Sequence, residues 1–249
     1  MKWTIAVASW GRAGMVSSDS IFPEVVIVVP ESQIDAYRAA KPTPDNGGTY
    51  LAIPDALDGN IARKRNAILN HFLGKKSLGN VVMVDDDYDS FARISHGQEQ
   101  PLSPEEIEHV LFRGFTMAHD VGTPLWGVNV QADPKFYREY TPVTFLSPVL
   151  GPFMALRDCP LRFDEDLWLK EDYDFSLQVL RKYHRVLRFG MYHYRVDHFD
   201  LPGGVVSHRS WDEEIRQLRR LQEKWGNEVV RFDVTKSVNP VLKVPLRGV

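Results

Sequence analysis

A single cysteine, Cys159, stands in the 249 residues. One thiol excludes an intramolecular disulfide and a cysteine-built zinc cage. No apolar run approaches the ~20 residues that a membrane span needs. The opening MKWTIAVASWGR holds too short an apolar run for a signal peptide, so a soluble, cytoplasmic protein is expected. No GxGxxG follows the first strand-like stretch and no GxxxxGKS/T occurs, so neither a dinucleotide fold nor a P-loop is supported. Internal repeats and low-complexity segments are also missing. Charge of one sign is not in excess. Lys+Arg 30 against Asp+Glu 33 gives a net charge of −3, which leaves room only for a local basic patch on nucleic acid.

What is present is an ordinary globular composition, 43% hydrophobic and 25% charged, with ample material for a core. The length suits a single α/β domain over residues 1–249. Strands are expected at Thr4–Ser9, Val25–Val29 and Tyr50–Pro54, with helices over Glu31–Lys41 and Gly59–Leu73. Val81–Val84 continues the series. Strand and helix alternate through the first ~90 residues, which argues a mostly parallel sheet flanked by helices. The second half, 91–249, is less regular. Ser103-Pro104-Glu105-Glu106 is a helix start, with Ser as cap and acids in the first turn. Thr144–Leu156 reads as strand with a Gly-Pro interruption, and Arg185–Phe189 as another strand. Lys170–Tyr183 and Ser210–Trp225 read as helices, and Met191–Arg209 as a His-rich loop. A smaller sheet and a C-terminal helix complete the expected fold.

The most informative stretch is VVMVDDDYD, Val81–Asp89. Four apolar residues without a polar face read as a buried strand. Asp85, Asp86 and Asp87 close it. Three adjacent carboxylates repel one another, and a hard divalent cation carrying phosphate oxygens relieves that cost. At the carboxyl end of a strand they would face the crevice where open α/β sheets bind ligands. The competing reading is a solvated acidic turn or a helix N-terminus.

Four features in order then resemble the GT-A class of nucleotide-sugar-dependent glycosyltransferases. They are Arg65-Asn66 within NIARKRNAIL, the triplet Asp85-Asp86-Asp87, Glu171-Asp172 in LKEDYDF, and His208 in GGVVSHRS. With the opening strand, which in that class leads to the nucleotide pocket, the set spans roughly residues 4–209. Asn60 stands where that class usually has a Gly, and the C-terminal lobe matches no motif. Compactness, the WGR turn and GGVVSHR resemble, within this class, the phage and TET-associated glycosyltransferases. That likeness implies sugar transfer to 5-hydroxymethylpyrimidine in DNA.

The resemblance implies a nucleotide-binding half, 1–90, and an acceptor-binding half, 91–249. It implies a nucleotide-sugar donor, with UDP expected as the nucleotide, and Mn²⁺ or Mg²⁺ as cofactor. Asp87 and His208 are the expected metal ligands, with a hydrogen-bonded loop histidine as the alternative for His208. Asp85 is expected to contact ribose or a metal-bound water, and Asp86 to make a second contact or serve the structure. Ser9 and Arg12 follow the first strand, where base and ribose are met. Arg65 and Asn66 complete the donor site. No more than two of Arg63, Lys64 and Arg65 can face one side of a helix. Asp58 is expected to cap that helix.

An acceptor hydroxyl is a poor nucleophile and needs a general base. Asp172 is the candidate and Glu171 the alternative; a carboxylate there implies direct displacement and inversion. A helix-dipole pair is the competing reading. Tyr192, Tyr194, Arg195 and Arg209 are the candidate acceptor contacts, because a base attached to DNA must be unstacked before chemistry. Arg216, Arg219 and Arg220 share one face of the last helix and add charge, or form a solvated face offset by acids. Other functions remain open on sequence. A glycosyltransferase could act on a carbohydrate or lipid acceptor. A nucleotidyltransferase shares a parallel sheet and metal-bound carboxylates, though WGRAG is short for its basic loop. An inactive sugar- or nucleic-acid-binding module would need no base. No protein or membrane partner is implied.

Overall fold

Strands with no polar face form the middle of one large sheet. The computed structural model describes residues 1–74, 76, 78–130, 137, 140–196 and 210–244. Its first half contains β1 (Thr4–Ala8), β2 (Val26–Pro30), β3 (Thr49–Ile53) and β4 (Asn80–Val84). Between and beyond them lie the helices α1 (Ser18–Ile21), α2 (Ile34–Ala40) and α3 (Ile61–Phe72). The second half adds β5 (Tyr88–Ser95), β6 (Gln98–Pro101), β7 (Leu125–Asn129), β8 (Val143–Thr144), β9 (Phe153–Arg157) and β10 (Leu187–Val196). Its helices are α4 (Pro104–Asp120), α5 (Glu171–Tyr183) and α6 (Trp211–Trp225). Last come β11 (Val230–Arg231) and β12 (Val241–Leu242), which pair in a separate two-stranded sheet. No helix of the described residues is long and apolar enough to cross a membrane.

The large sheet runs β3-β2-β1-β4-β9-β7-β10-β5-β6, with β8 beside β10. β3, β2, β1 and β4 are parallel neighbours. β9 is antiparallel to both β4 and β7, and β10 lies parallel to β7. Seven strands therefore point one way, and β9, β5 and β8 the other. The α/β expectation of a mostly parallel sheet flanked by helices holds.

Both faces of this sheet are covered, which is why its strands carry continuous apolar runs. Ile5 and Val7 of β1 and Val82 and Val84 of β4 face a core with Phe115 of α4 and Trp126 of β7. Their alternates Ala6, Val81 and Met83 face a second core with Ile68 of α3 and Phe175 of α5. Gly114 of α4 allows a close approach, since a Cβ there would fall 2.3 Å from the Trp126 ring. A third, small cluster joins Leu167, Leu177, Leu221 and Val230 under α6.

Several boundaries differ from the sequence reading, each for a local reason. Asn60, not Asp58, caps α3: its side chain accepts the Arg63 N–H at 2.8 Å. The stretch Glu31–Lys41 is a 3₁₀ turn over Glu31–Gln33 before α2. Thr144–Leu156 holds two separate strands, β8 and β9. Met191–Val196 belongs to β10 rather than to a loop, paired with β5 over Tyr192↔Arg93 to Val196↔Tyr88. Phe91–Ser95, a strand on sequence, lies within β5, whereas β6 and the hairpin that joins them carry no clear sequence signal. His96 and Gly97, at φ 51° and 73°, form its two-residue turn, as a primed turn requires. Ser103 and Glu106 form the full capping box of α4, as the sequence predicts.

Candidate active site

β1 and β4 are parallel neighbours, so their carboxyl ends open side by side. The chain leaves β1 through Ser9, Trp10, Gly11 and Arg12. Gly11 takes φ 68°, a left-handed turn in which glycine is free of strain. That turn brings the Arg12 guanidinium over the end of β4. It binds Asp86, and Asp87 at 3.1 Å. Ser9 Oγ donates to Asp86 Oδ2 at 2.5 Å and lies 2.7 Å from Tyr37 Oη, which accepts the Arg12 backbone N–H. Burial pushes the Asp86 carboxyl up to about 6, against the opposing pull of Arg12 and Ser9.

The three aspartates are therefore not equivalent. The side chains of Asp86 and Asp87 are 6% and 3% exposed, whereas that of Asp85 is 24% exposed. Asp85 is the member of the triplet most open to the cleft. Its Oδ1 lies 3.2 Å from Arg65 Nη2.

α3 supplies the cations of the cleft. Its first turn points three consecutive side chains in different directions, as helical geometry demands. Arg63 faces outward to Glu165, at 2.8 Å. Lys64 and Arg65 are buried. Lys64 Nζ donates to the Ser9 carbonyl at 2.5 Å and pairs with Asp58 Oδ2 at 2.8 Å. Burial lowers its pKa, with Asp58 opposing.

Arg65 is the hub. Its Nη1 donates to Glu171 Oε1 at 2.6 Å, and its Nη2 to the Gly151 carbonyl at 2.8 Å and to Asp85. It thus ties the end of β4, the turn before β9 and the start of α5 together. Burial pushes the Glu171 carboxyl up to about 8; Arg65 opposes this and Asp172 adds to it. Beside it, Asp172 accepts the Gly151 N–H on Oδ2 at 2.8 Å and the Tyr173 N–H on Oδ1 at 2.7 Å. Asp172 is half-buried where Glu171 is buried. Gly151 leaves room for this arrangement, because a Cβ would stand 2.9 Å from Arg65 Nη2 and 3.3 Å from Asp172 Oδ2 and would displace them.

Ser9, Arg12, Asp58, Lys64, Arg65, the three aspartates, Gly151, Glu171 and Asp172 line one pocket, and Trp10, Asn60, Pro152, Trp168 and Glu214 also contribute to its wall. Of the residues proposed from sequence, Ser9, Arg12, Arg65, Asp85, Asp86, Asp87, Glu171 and Asp172 meet there. Seven lining carboxylates (Asp58, Asp85, Asp86, Asp87, Glu171, Asp172 and Glu214) face three cations (Arg12, Lys64 and Arg65). Glu214 is paired with Lys170 and burial favours the protonated form of Glu171, so the net excess is smaller than that count, and it still favours a cation or a ligand that brings one.

Other expected residues lie elsewhere. Asn66 binds the Phe163–Glu165 segment on the far side of α3, through Phe163 and Glu165. Tyr192 and Tyr194 are buried in the core, against Phe189 and Tyr88 respectively. Arg195 is bound to Glu99, at 2.5 Å. Arg216 holds Glu213 and Arg220 holds Asp166, so these two are not an open basic face. His208 and Arg209 fall outside the described residues. Among those described, no group of three or more His, Cys, Asp or Glu side chains is arranged to hold a metal ion. The sequence reading missed Lys64, Gly151 and Glu214. Lys64 had a signal, its place one residue before Arg65 on a helix opening on the pocket. Glu214 had none, because only the docking of α6 brings it in.

A sheet covered on both faces, with acids and arginines at the carboxyl ends of β1 and β4, defines an α/β protein with a charged ligand cleft. The model of the TET-associated glycosyltransferase family matches residues 5–204, and the chain belongs to that family. Among solved structures it is similar to the crystal structure of S. aureus TarS 1-349, at 15% identity and a TM-score of 0.46. The likeness covers 90% of this chain and 65% of that one, so the chain spans less than two thirds of its length. No curated protein matches the chain.

Proposed function

We propose that this chain is a metal-dependent, inverting glycosyltransferase that moves a sugar from a nucleotide diphosphate, UDP by preference, to an acceptor hydroxyl. One observation carries the reading. Buried Arg65 touches both Asp85 at the end of β4 and Glu171 at the start of α5, so a strand-end carboxylate and a helix-start carboxylate pair share one pocket.

Each group then has a task. Ser9, Trp10 and Arg12 face the nucleoside. Asp85 and Asp87 would offer hard oxygen donors to Mg²⁺ or Mn²⁺. The bound ion supplies a Lewis acid for charge growing on the leaving diphosphate. Arg65 stays cationic, since Glu171 and Asp85 raise its pKa against burial. It orients Glu171 and, through the Gly151 turn, Asp172. Asp172 is the general base: it is the more open carboxylate of the pair and takes the proton of the attacking hydroxyl. Attack opposite the departing diphosphate inverts the anomeric carbon.

The acceptor to test first is 5-hydroxymethylpyrimidine in DNA. Its primary alcohol is within the reach of a carboxylate base once the nucleotide is unstacked. This assignment rests on family membership and on that chemistry. The paired state of Arg195, Arg216 and Arg220 adds no support.

Calorimetry with UDP, with and without Mn²⁺, tests the donor half of the proposal. The expected result is binding that requires the ion and is lost in Asp85→Ala. Equal affinity with and without Mn²⁺ removes the metal from the mechanism.

A further inference from the structure

The region matched by the family ends at residue 204, and α6 begins at Trp211. Yet Glu214, in the first turn of α6, lines the pocket. Its Oε2 lies 2.6 Å from Lys170 Nζ, and the two side chains are 4% and 2% exposed. Lys170 is the residue that opens α5, directly before Glu171 and Asp172.

The N-cap residue of α5, Lys170, gives its first turn no side-chain cap, and within the helix Asp172 Oδ1 reaches one first-turn amide, that of Tyr173. The first turn of a helix leaves its N–H groups unsatisfied and its orientation free unless something else fixes it. α6 supplies contacts that do so. Besides the Glu214–Lys170 pair, buried Gln217 donates to the Asp166 carbonyl at 3.2 Å. Trp225 Nε1 donates to Asp174 Oδ1 at 2.7 Å, in the same first turn of α5. Glu214, Gln217 and Trp225 follow one another at helical spacing on the face turned to this segment.

A buried ion pair is a poor device for stability alone, because desolvation cancels much of the attraction. It is a good device for fixing a geometry. We propose that Glu214 is a positioning residue: through Lys170 it sets the orientation of the first turn of α5, and with it Asp172. As a statement about transfer this rests on the reaction proposed above; as a statement about α5 it does not.

Three variants test it: Glu214→Gln, the apolar pair Lys170→Met with Glu214→Leu, and Glu214→Asp. The readouts are thermal melting, hydrogen exchange at the Tyr173 and Asp174 amides, and the split between kcat and donor KM. In Glu214→Gln, exchange at both amides should rise, and kcat should fall roughly tenfold or more with donor KM nearly unchanged, the mark of lost alignment. The apolar pair should restore melting but not kcat, and Glu214→Asp should recover part of the rate. Recovery of kcat by the apolar pair would overturn the proposal, as would unchanged exchange at the two amides in Glu214→Gln. If the parent protein transfers no sugar from any nucleotide donor, the reaction proposed above falls, and exchange alone decides the role of Glu214.

Discussion

The cleft wall built by β1 and β4 and the wall built by α5 and α6 hold their charges by different means. On the first, Asp86 and Asp87 follow a strand with both faces buried, and Arg12 returns to them through one glycine turn. Strand register places these groups before any side chain is considered. On the second, Glu171 and Asp172 open a helix whose N-cap residue gives no side-chain cap and whose start is held by contacts to Arg65, Gly151 and, through Lys170, Glu214. The first wall is fixed by the sheet and the second by side chains reaching from other elements. In the proposed reaction the first wall would bind and the second would react, and the second should be the more easily disturbed.

Removing the hub between the walls should have the largest effect. Arg65→Met leaves Glu171 and Asp85 without their shared cation in a buried site. Asp85 keeps partial access to solvent and Glu171 can hold its proton, so the loss should lie at or below the low end for a broken buried pair, up to about 3 kcal/mol. Chemical denaturation should show that loss, and transfer should disappear with it. Arg65→Lys should not rescue either, because a point charge cannot reach Glu171, Asp85 and the Gly151 carbonyl together.

Gly151→Ala should strike the second wall more than the first, which it reaches only through Arg65. The new methyl crowds the Arg65 guanidinium and Asp172 Oδ2. Transfer should slow about tenfold from misplaced groups, with donor affinity within about twofold of the parent. An equal loss in donor affinity would mean that the two walls are not separable.

The smallest effect is a slope in stability against pH for the metal-free protein. Glu171 ionises at about 8 in the folded chain, well above its ordinary 4.5, chiefly from burial. Its protonated form thus favours the folded state below about 4.5, and this contribution is lost as pH rises through about 8. Asp86, raised from 3.8 to about 6, adds the same sign at lower pH. Melting temperature should fall between pH about 6 and 8, and Glu171→Gln should flatten that fall. A parent protein that gains stability across this range would contradict the burial argument.

The contrast between the walls also explains what the sequence disclosed. VVIVV and VVMV announce strands because both faces are buried, and the Asp triplet after the second could be placed at the sheet's carboxyl edge. Ser103-Pro104-Glu105-Glu106 announced α4 through its own cap. The unequal exposure of Asp85, Asp86 and Asp87 was not legible, since it depends on where Arg12 lands after its turn. Tyr192 and Tyr194 were taken for loop residues because MYHYRV alternates too little to reveal a strand, and pairing with β5 decides it. Lys64 seemed equally suited to solvent until Asp58 and the Ser9 carbonyl were brought beside it. Glu214 could not be read at all, because its role exists only once α6 packs on the start of α5.

The central claim is that Asp172 is the base and serves chemistry rather than donor binding. The measurement is single-turnover transfer from a labelled nucleotide sugar to 5-hydroxymethylpyrimidine DNA, in the parent and in Asp172→Asn, with donor affinity determined in parallel. The rate should be lower by ~10²-fold or more in the variant, with donor affinity unchanged. A variant that transfers at the parent rate, or that loses donor binding and rate together, would contradict that claim.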